Sequence, residues 1–320
     1  MHTIDKPQPS DKPQPSATTP LSKVIVCLDY SSKDKEIIEN TCTISRIAGT
    51  TEIIFLNVIK EFTLPEEIKK EFPCLIDKAI EERKCELSEI VNDNFSSNIK
   101  KKLIVKQGNI TKEILNVATD EKSDLIVMGR NDDSNSVLSA RIARRSPCNL
   151  LFLPQNCKIK FDKILIPVDF SDYSELSLKR VLQLTEKMAS TIYLENIISV
   201  PSSYRYSGKS FEEFSEILKG HVRKDLDLLL NKVSLNKQKL VPLFTLEKGG
   251  KIIDLIWKES KKKKVDMMVM GAKGRTPASA LFIGSKAERM IRLNDEIPLM
   301  IIRKKGAMAG IIETLKETLD

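Results

Sequence analysis

Three apolar segments of this sequence are each written twice, about 140 residues apart, and that spacing constrains the fold more than any other feature. Lys23-Val-Ile-Val-Cys-Leu-Asp29-Tyr-Ser31 returns as Lys163-Ile-Leu-Ile-Pro-Val-Asp169-Phe-Ser171. Ile53-Ile-Phe-Leu-Asn57-Val58 returns as Ile192-Tyr-Leu-Glu-Asn196-Ile197, and Asp124-Leu-Ile-Val-Met-Gly129 as Asp266-Met-Met-Val-Met-Gly271. The chain of 320 residues therefore reads as two copies of one domain, with length enough for two cores. The expected division is a tail over 1–21, a first domain over 22–157, a second over 158–304 and a C-terminal helix over 305–320.

Each copy alternates short apolar runs with helical patterns. In the first, strands are predicted at Lys23 to Leu28, Ile53 to Val58, Leu103 to Gly108, Leu125 to Met128 and Asn149 to Leu153. In the second they fall at Ile164 to Val168, Ile192 to Ile197, Val241 to Gly250, Met267 to Met270 and Pro298 to Ile302. Long charged helices are predicted over Leu64 to Asn94 and Phe211 to Lys232. Strands that are apolar throughout and separated by helices belong in a parallel sheet covered on both faces. The expected fold is α/β, two tandem five-stranded parallel sheets of Rossmann-like type. Ligands of such sheets bind outside the carboxyl ends of the strands.

Residues 5–16 read DKPQPSDKPQPS, a proline-rich unit without large apolar residues, and predict an extended, disordered tail. The 52 Lys and Arg against 44 Asp and Glu give a surface of mixed sign, which argues against nucleic acid as the partner. The basic run Lys261 to Lys264 is expected to be solvated at the end of a helix. None of the six cysteines forms a C-x-x-C pair, so a metal site is not expected; Cys27 and Cys42 sit in apolar settings. With only His2 and His221, histidine chemistry has little material. No apolar run is long enough to cross a bilayer, and no signal-peptide pattern is present, so a cytosolic protein is expected.

One stretch carries candidate chemistry. Gly271 to Ser285, GAKGRTPASALFIGS, starts at the end of the second copy's fourth strand and ends at a predicted helix, Lys286 to Leu293. Gly271 and Gly274 permit close backbone approach, and Gly284-Ser285 sits at a helix N-terminus where free N–H groups, a hydroxyl and Lys286 suit an anion such as phosphate. A flexible turn with a helix cap explains the same spacing equally well. Asp169, after the first strand in Pro167-Val168-Asp169, is placed at the same edge, where its carboxylate could take ribose hydroxyls or simply cap the next helix.

These residues together resemble the universal stress protein (UspA-like) family: ILIPVDFSDYSELSLK, the Asn196-Ile197 strand end, DMMVMGAKG and the G-x2-G-x9-G-S spacing. The resemblance covers nearly all of residues 22–304 as a tandem pair, and its glycine pattern marks the family's ATP-binding members. It implies an adenine nucleotide α-hydrolase-like fold, pairing through the last strand and a role in surviving stress. It also implies that Pro167, Val168 and Asp169 line the adenosine and that Ile197 meets adenine through its backbone. Met270 and Gly271 would pass beside the nucleotide, and Gly274, Gly284, Ser285 and Lys286 would hold the phosphates of ATP, with magnesium where the phosphates carry it.

The first copy departs from this pattern. Gly129 to Pro147 spans 18 positions where Gly271 to Pro298 spans 27, so nine residues are missing. Aspartate, Asp132, stands at the second glycine, and Ser136-Val137 stands at Gly284-Ser285. The expectation is a first copy without a phosphate cradle, acting as structural partner in a pseudo-dimer with one nucleotide site. Arg141, Arg144 and Arg145 are expected on a solvated helix face. Met308, Ile311, Ile312, Leu315 and Leu319 share a helical stripe that must bury on its own domain, in a homodimer or on another protein partner. The leading functional expectation is a nucleotide-responsive stress protein with little or no hydrolysis. The alternatives are a nucleotide-independent scaffold, and an ATP-using enzyme on a related fold, for which no catalytic base is evident.

Overall fold

The computed structural model describes residues 21–60, 65–130, 133–233, 238–247, 251–275 and 283–304. The proline-rich tail, the C-terminal stripe, Asp132 and the glycines closing the predicted strand at Val241 to Gly250 lie outside the described residues. Leu21, assigned above to the tail, is fully buried, and its carbonyl accepts a hydrogen bond from Thr50 Oγ1 at 2.8 Å.

In the first half the order is β1 (Lys23–Leu28), α1 (Asp34–Ala48), β2 (Glu52–Lys60), α2 (Glu66–Glu71), α3 (Leu75–Asn94), β3 (Lys100–Gly108), α4 (Ile110–Asp120), β4 (Leu125–Gly129), α5 (Asp133–Arg145) and β5 (Asn149–Leu153). The second half follows with β6 (Lys163–Pro167), α6 (Asp172–Leu184), β7 (Thr191–Ser199), α7 (Phe211–Leu230), β8 (Lys239–Glu247), α8 (Ile252–Lys263), β9 (Met267–Gly271), α9 (Ser285–Leu293) and β10 (Leu299–Ile302). All ten predicted strands form. The helix predicted from Leu64 to Asn94 does not run through. It breaks between α2 and α3 around Pro73, whose ring forbids the helical backbone of the residue before it and removes an N–H donor.

Local chemistry sets the boundaries. Helix α1 buries Ile37, Ile38, Thr41, Cys42, Ile44 and Ser45 along one stripe and stops at Gly49, which takes the left-handed φ of 64°. Helix α7 opens on a capping box: the Ser210 side chain accepts from Glu213 N, and the Glu213 carboxylate accepts from Ser210 N. Among the described residues no helix is long and apolar enough to cross a membrane.

The two halves do not form separate sheets. They join in one ten-stranded sheet of order β3-β2-β1-β4-β5-β10-β9-β6-β7-β8, parallel throughout except where β5 meets β10 antiparallel. Leu299 pairs with Phe152, Met300 with Leu151 and Ile301 with Leu150. Every one of these side chains is buried, because helices cover both faces. One core layer holds α1, α3, α6 and α7 against the sheet; the other holds α4, α5, α8 and α9.

The seam is closed by two arginines that cross it in opposite directions. Arg303, just past β10, is buried and donates to the carbonyls of Ala143 (2.8 Å), Arg144 (3.1 Å) and Ser146 (2.6 Å) at the end of α5. Arg130, just past β4, donates to Ile291 O and Arg292 O at the end of α9. Each guanidinium satisfies helix-end carbonyls that have no intrahelical donor, and each complements the negative end of a helix dipole. Truncation of Arg303 to alanine strands three acceptors, two of them buried. Urea unfolding of Arg303→Ala should show a loss of about 3 kcal/mol; a change within experimental error would mean that the clasp contributes nothing.

Candidate functional site

The strands of the second half end together on one edge. There Pro167 closes β6, with buried Val168 and half-buried Asp169 following it, and buried Met270 and half-buried Gly271 close β9. The turn after β6 is held from two sides. Val168 N donates to Glu195 O at 2.8 Å, and Asn196 Nδ2 donates to Val168 O at 2.8 Å. The first half repeats the second contact, with Asn57 Nδ2 on Leu28 O at 2.9 Å. In both halves the aromatic residue after the aspartate takes a left-handed backbone, Tyr30 at φ 65° and Phe170 at φ 61°. For a bulky side chain this is a strained conformation of the kind that gathers at ligand-holding turns.

Asp169 does not cap α6; Ser171 does, its side chain accepting from Ser174 N. The Asp169 carboxylate is instead oriented by its neighbours. Its Oδ1 accepts from Ser171 Oγ (2.6 Å), Ser174 Oγ (2.8 Å) and Ser171 N (3.2 Å), and its Oδ2 accepts from Arg275 N at 3.2 Å. Burial pushes its pKa up, but the donors of Ser171, Ser174 and Arg275 outweigh burial and hold it below the ordinary value. The carboxylate is thus ionised, with acceptor capacity left on Oδ2. The Arg275 side chain folds back as well: Nε donates to Asp169 O and the guanidinium lies over the Phe170 ring.

Two of the three glycines are closely packed, Gly271 against backbone and Cβ atoms and Gly274 against the end of the Asp169 side chain. A Cβ on Gly271 would stand 2.6 Å from Tyr173 Cβ, and one on Gly274 would stand 2.6 Å from Asp169 Oδ2. Gly284 is different. Its φ of −66° and ψ of 146° suit any residue, and among the described residues a Cβ there would meet nothing nearer than Ala272 O at 3.4 Å, an ordinary contact. It occupies the N-cap of α9, where among the described residues no side chain accepts from the first N–H groups of that helix, beside exposed Ser285 and Lys286.

Ile197 lies inside β7, two residues before its end, rather than at the strand terminus. Its amide nevertheless has no partner on the β6 side among the described residues. Glu195 O faces β6, and alternate residues of a strand direct their N–H and C=O to the same side. Since β6 ends at Pro167 opposite Glu195, the Ile197 amide faces the gap beyond it.

The first half closes the corresponding edge. Only three residues separate β4 from α5, against thirteen between β9 and α9. Ser136 and Val137 consequently fall inside α5 rather than ahead of a helix, which corrects their alignment with Gly284 and Ser285. Asp34 stands where the second half has Ser174; it is buried and accepts from Asp29 N (3.2 Å) and Tyr30 N (2.8 Å). Burial, only partly offset by these two donors and reinforced by the Asp29 charge, raises its pKa to about 6. Ile37 packs against Gly129, leaving a cavity of about 10 Å³ among Lys33, Asn40 and Leu153, room for one water at most. Arg141, Arg144 and Arg145 are exposed on α5, as expected, and Arg144 forks onto Glu288.

Sequence reasoning missed Ser174 and Arg275, which orient Asp169, and Glu195. The last is fully buried, with Oε1 accepting from Thr245 Oγ1 at 2.9 Å and Oε2 without a partner among the described residues. Its position could have been noticed, because the first copy has Leu56 there. Burial, with a small contribution from Glu259 and against the Thr245 hydrogen bond, raises its pKa from 4.5 to about 7.

Two doubly wound repeats fused edge to edge define a tandem Rossmann-type α/β protein. The model of the universal stress protein family matches residues 20–154 and again 160–303, and the chain belongs to that family. Universal stress protein MJ0531 of Methanocaldococcus jannaschii is 28% identical over 145 residues, 45% of this chain and 83% of that protein. Universal stress protein MJ0577 of the same organism is 25% identical over 169 residues, 47% of this chain and 99% of that protein, so each aligns with about one half of the tandem. Solved structures align with both halves. A universal stress protein from Archaeoglobus fulgidus gives a TM-score of 0.56 at 16% identity, covering 89% of this chain and 97% of that one. PA1789 from Pseudomonas aeruginosa, described as functionally unknown, gives 0.59 at 15% identity, covering 93% and 98%. At such identities the likeness extends to the fold.

The Glu195 carboxyl makes the stability of the second half depend on pH. Its folded pKa lies above the ordinary 4.5, so the stabilisation is complete below 4.5 and is lost as pH rises through about 7. Between pH 6 and 8.5 the wild type should lose about 1 kcal/mol more than Glu195→Gln in urea unfolding; parallel pH profiles would show that the carboxyl is not titrating in the fold.

Proposed function

We propose that the second half binds ATP at the edge formed by Asp169, Ile197 and the N-terminus of α9, and that the chain is a cytosolic, nucleotide-responsive stress protein. The observation that carries this reading is Gly284. Neither its backbone angles nor its described neighbours call for glycine, and a side chain there would cover the helix N-terminus that suits a phosphate. Asp169, ionised and oriented, takes the ribose hydroxyls; the amide of Ile197 takes the adenine edge; Val168 and Met270 give the apolar floor. Pro167, Gly271 and Gly274 shape the approach, and Ser285 and Lys286 complete the phosphate end.

The first half serves as structural partner in a pseudo-dimer with one site. Its short β4–α5 connection and its Asp29–Asp34 carboxylates support this, since two acidic groups at the mouth oppose an anion. Hydrolysis is slow or absent. From Arg275 to Lys286 the sequence offers no carboxylate or histidine to act as base at the phosphate end. Nucleotide then acts by favouring one assembly or partner-binding state over another.

Equilibrium dialysis with ATP and magnesium tests the site. Gly284→Val should lose ATP affinity by at least about tenfold with an unchanged circular dichroism spectrum, and Asp169→Ala should weaken ATP and adenosine alike. Equal affinity in wild type and Gly284→Val would remove the phosphate assignment. ATP turnover in wild type should not exceed that of the Asp169→Ala, Gly284→Val double variant.

A further inference from the structure

The residue after the fourth strand differs between the halves. In the second it is Ala272, whose carbonyl accepts from Gly284 N at 2.7 Å and so closes the loop ahead of α9. In the first it is Arg130, which is only 8% exposed and reaches across the seam. Its guanidinium donates through Nη1 to Ile291 O and through Nη2 to Arg292 O at 2.7 Å, carbonyls in the last turn of α9. The arginine backbone is itself anchored, with Arg130 N on Leu153 O at 2.7 Å.

Helix α9 has nine residues, a rod of about 13 Å that has no stability of its own in water. Its placement is set by tertiary contacts: Ala287, Met290 and Ile291 in the core, and the first half at both ends. Arg130 holds the C-terminal turn. Nearer the N-terminus, Arg144 of α5 reaches Glu288 with a two-pronged contact, Nε to Oε2 at 3.0 Å and Nη2 to Oε1 at 2.6 Å. The Arg130 contact is buried, so its geometry is costly to break.

We propose that Arg130 is a positioning residue for the nucleotide phosphates: the first half, which has no cradle of its own, fixes the orientation of the helix that supplies the cradle in the second. The inference rests on the ATP reading above. Phosphates drawing on the N-terminus of α9 are then felt at Arg130, so the seam between the halves is where nucleotide occupancy becomes a change in the first half. The two contacts act at different places: Arg130 holds the far end of the rod, and Arg144 with Glu288 holds it nearer the N-terminus.

Calorimetric titration of full-length wild type, Arg130→Gln, Arg130→Lys and Glu288→Gln, each with magnesium ATP and separately with adenosine, tests this. Adenosine reaches Asp169 and Ile197 but not α9. Arg130→Gln should raise the ATP Kd about tenfold while the adenosine Kd stays unchanged, and Arg130→Lys should restore part of the loss. Glu288→Gln, a substitution at a half-exposed position, should raise the ATP Kd about threefold and keeps the test available if Arg130→Gln does not fold. Unchanged ATP affinity in the folded variants, or equal losses for ATP and adenosine, would overturn the inference. A wild type that binds neither ligand would remove the ATP reading itself, and this inference with it.

Discussion

The antiparallel pairing of β5 with β10 is the interaction on which the rest of the molecule depends. Each half of the chain ends in a short strand, NLLFL and LMII, apolar but for the leading Asn149, with one neighbour inside its own half and none on the other side. Left exposed, either would be an open hydrophobic edge. Joining them gives each strand its second neighbour, turns two five-stranded sheets into one of ten strands, and brings α5 and α9 together over the seam. Arg130 and Arg303 can be buried only because that junction supplies helix-end carbonyls for their guanidiniums.

The junction also frees the halves to diverge. The first half fills its own carboxyl edge. There the β4–α5 connection is short, Ile37 fills space against Gly129, and an aspartate replaces the serine that orients Asp169 in the second half. The second half keeps the long connection, and among the described residues no side chain caps α9. It also accepts a cost in Glu195, a buried carboxyl with one oxygen unpartnered among the described residues, where the first half has leucine.

Most of the fold was legible in the sequence because parallel strands buried on both faces are apolar throughout and therefore conspicuous. All ten appear within a few residues of their expected bounds, and the duplication marks the two halves. Single-residue chemistry within a helical pattern was harder to read: Pro73 splits a charged stretch whose periodicity looks continuous. The fusion into one sheet was legible only through family resemblance, since nothing local in NLLFL or LMII specifies an antiparallel partner far along the chain. At the site, the glycine spacing was visible, but it did not separate packing from binding. The structure divides the three, assigning Gly271 and Gly274 close contacts and leaving Gly284 without one. Arg275 and Arg130 were invisible because their contacts join segments far apart in sequence, and Ser174 because nothing in a helical pattern marks the hydroxyl that turns back onto Asp169.

The central claim is that a duplicated chain has kept one nucleotide site and turned its other half into the support for that site. The most direct measurement is the number of adenine nucleotides bound per chain at saturation, with the position of each seen in a crystal structure of the complex. The account predicts one nucleotide per chain, with its ribose at Asp169 and its phosphates at the N-terminus of α9. A second nucleotide at the β1 and β4 strand ends, or no bound nucleotide at ATP concentrations far above the cellular range, would contradict it.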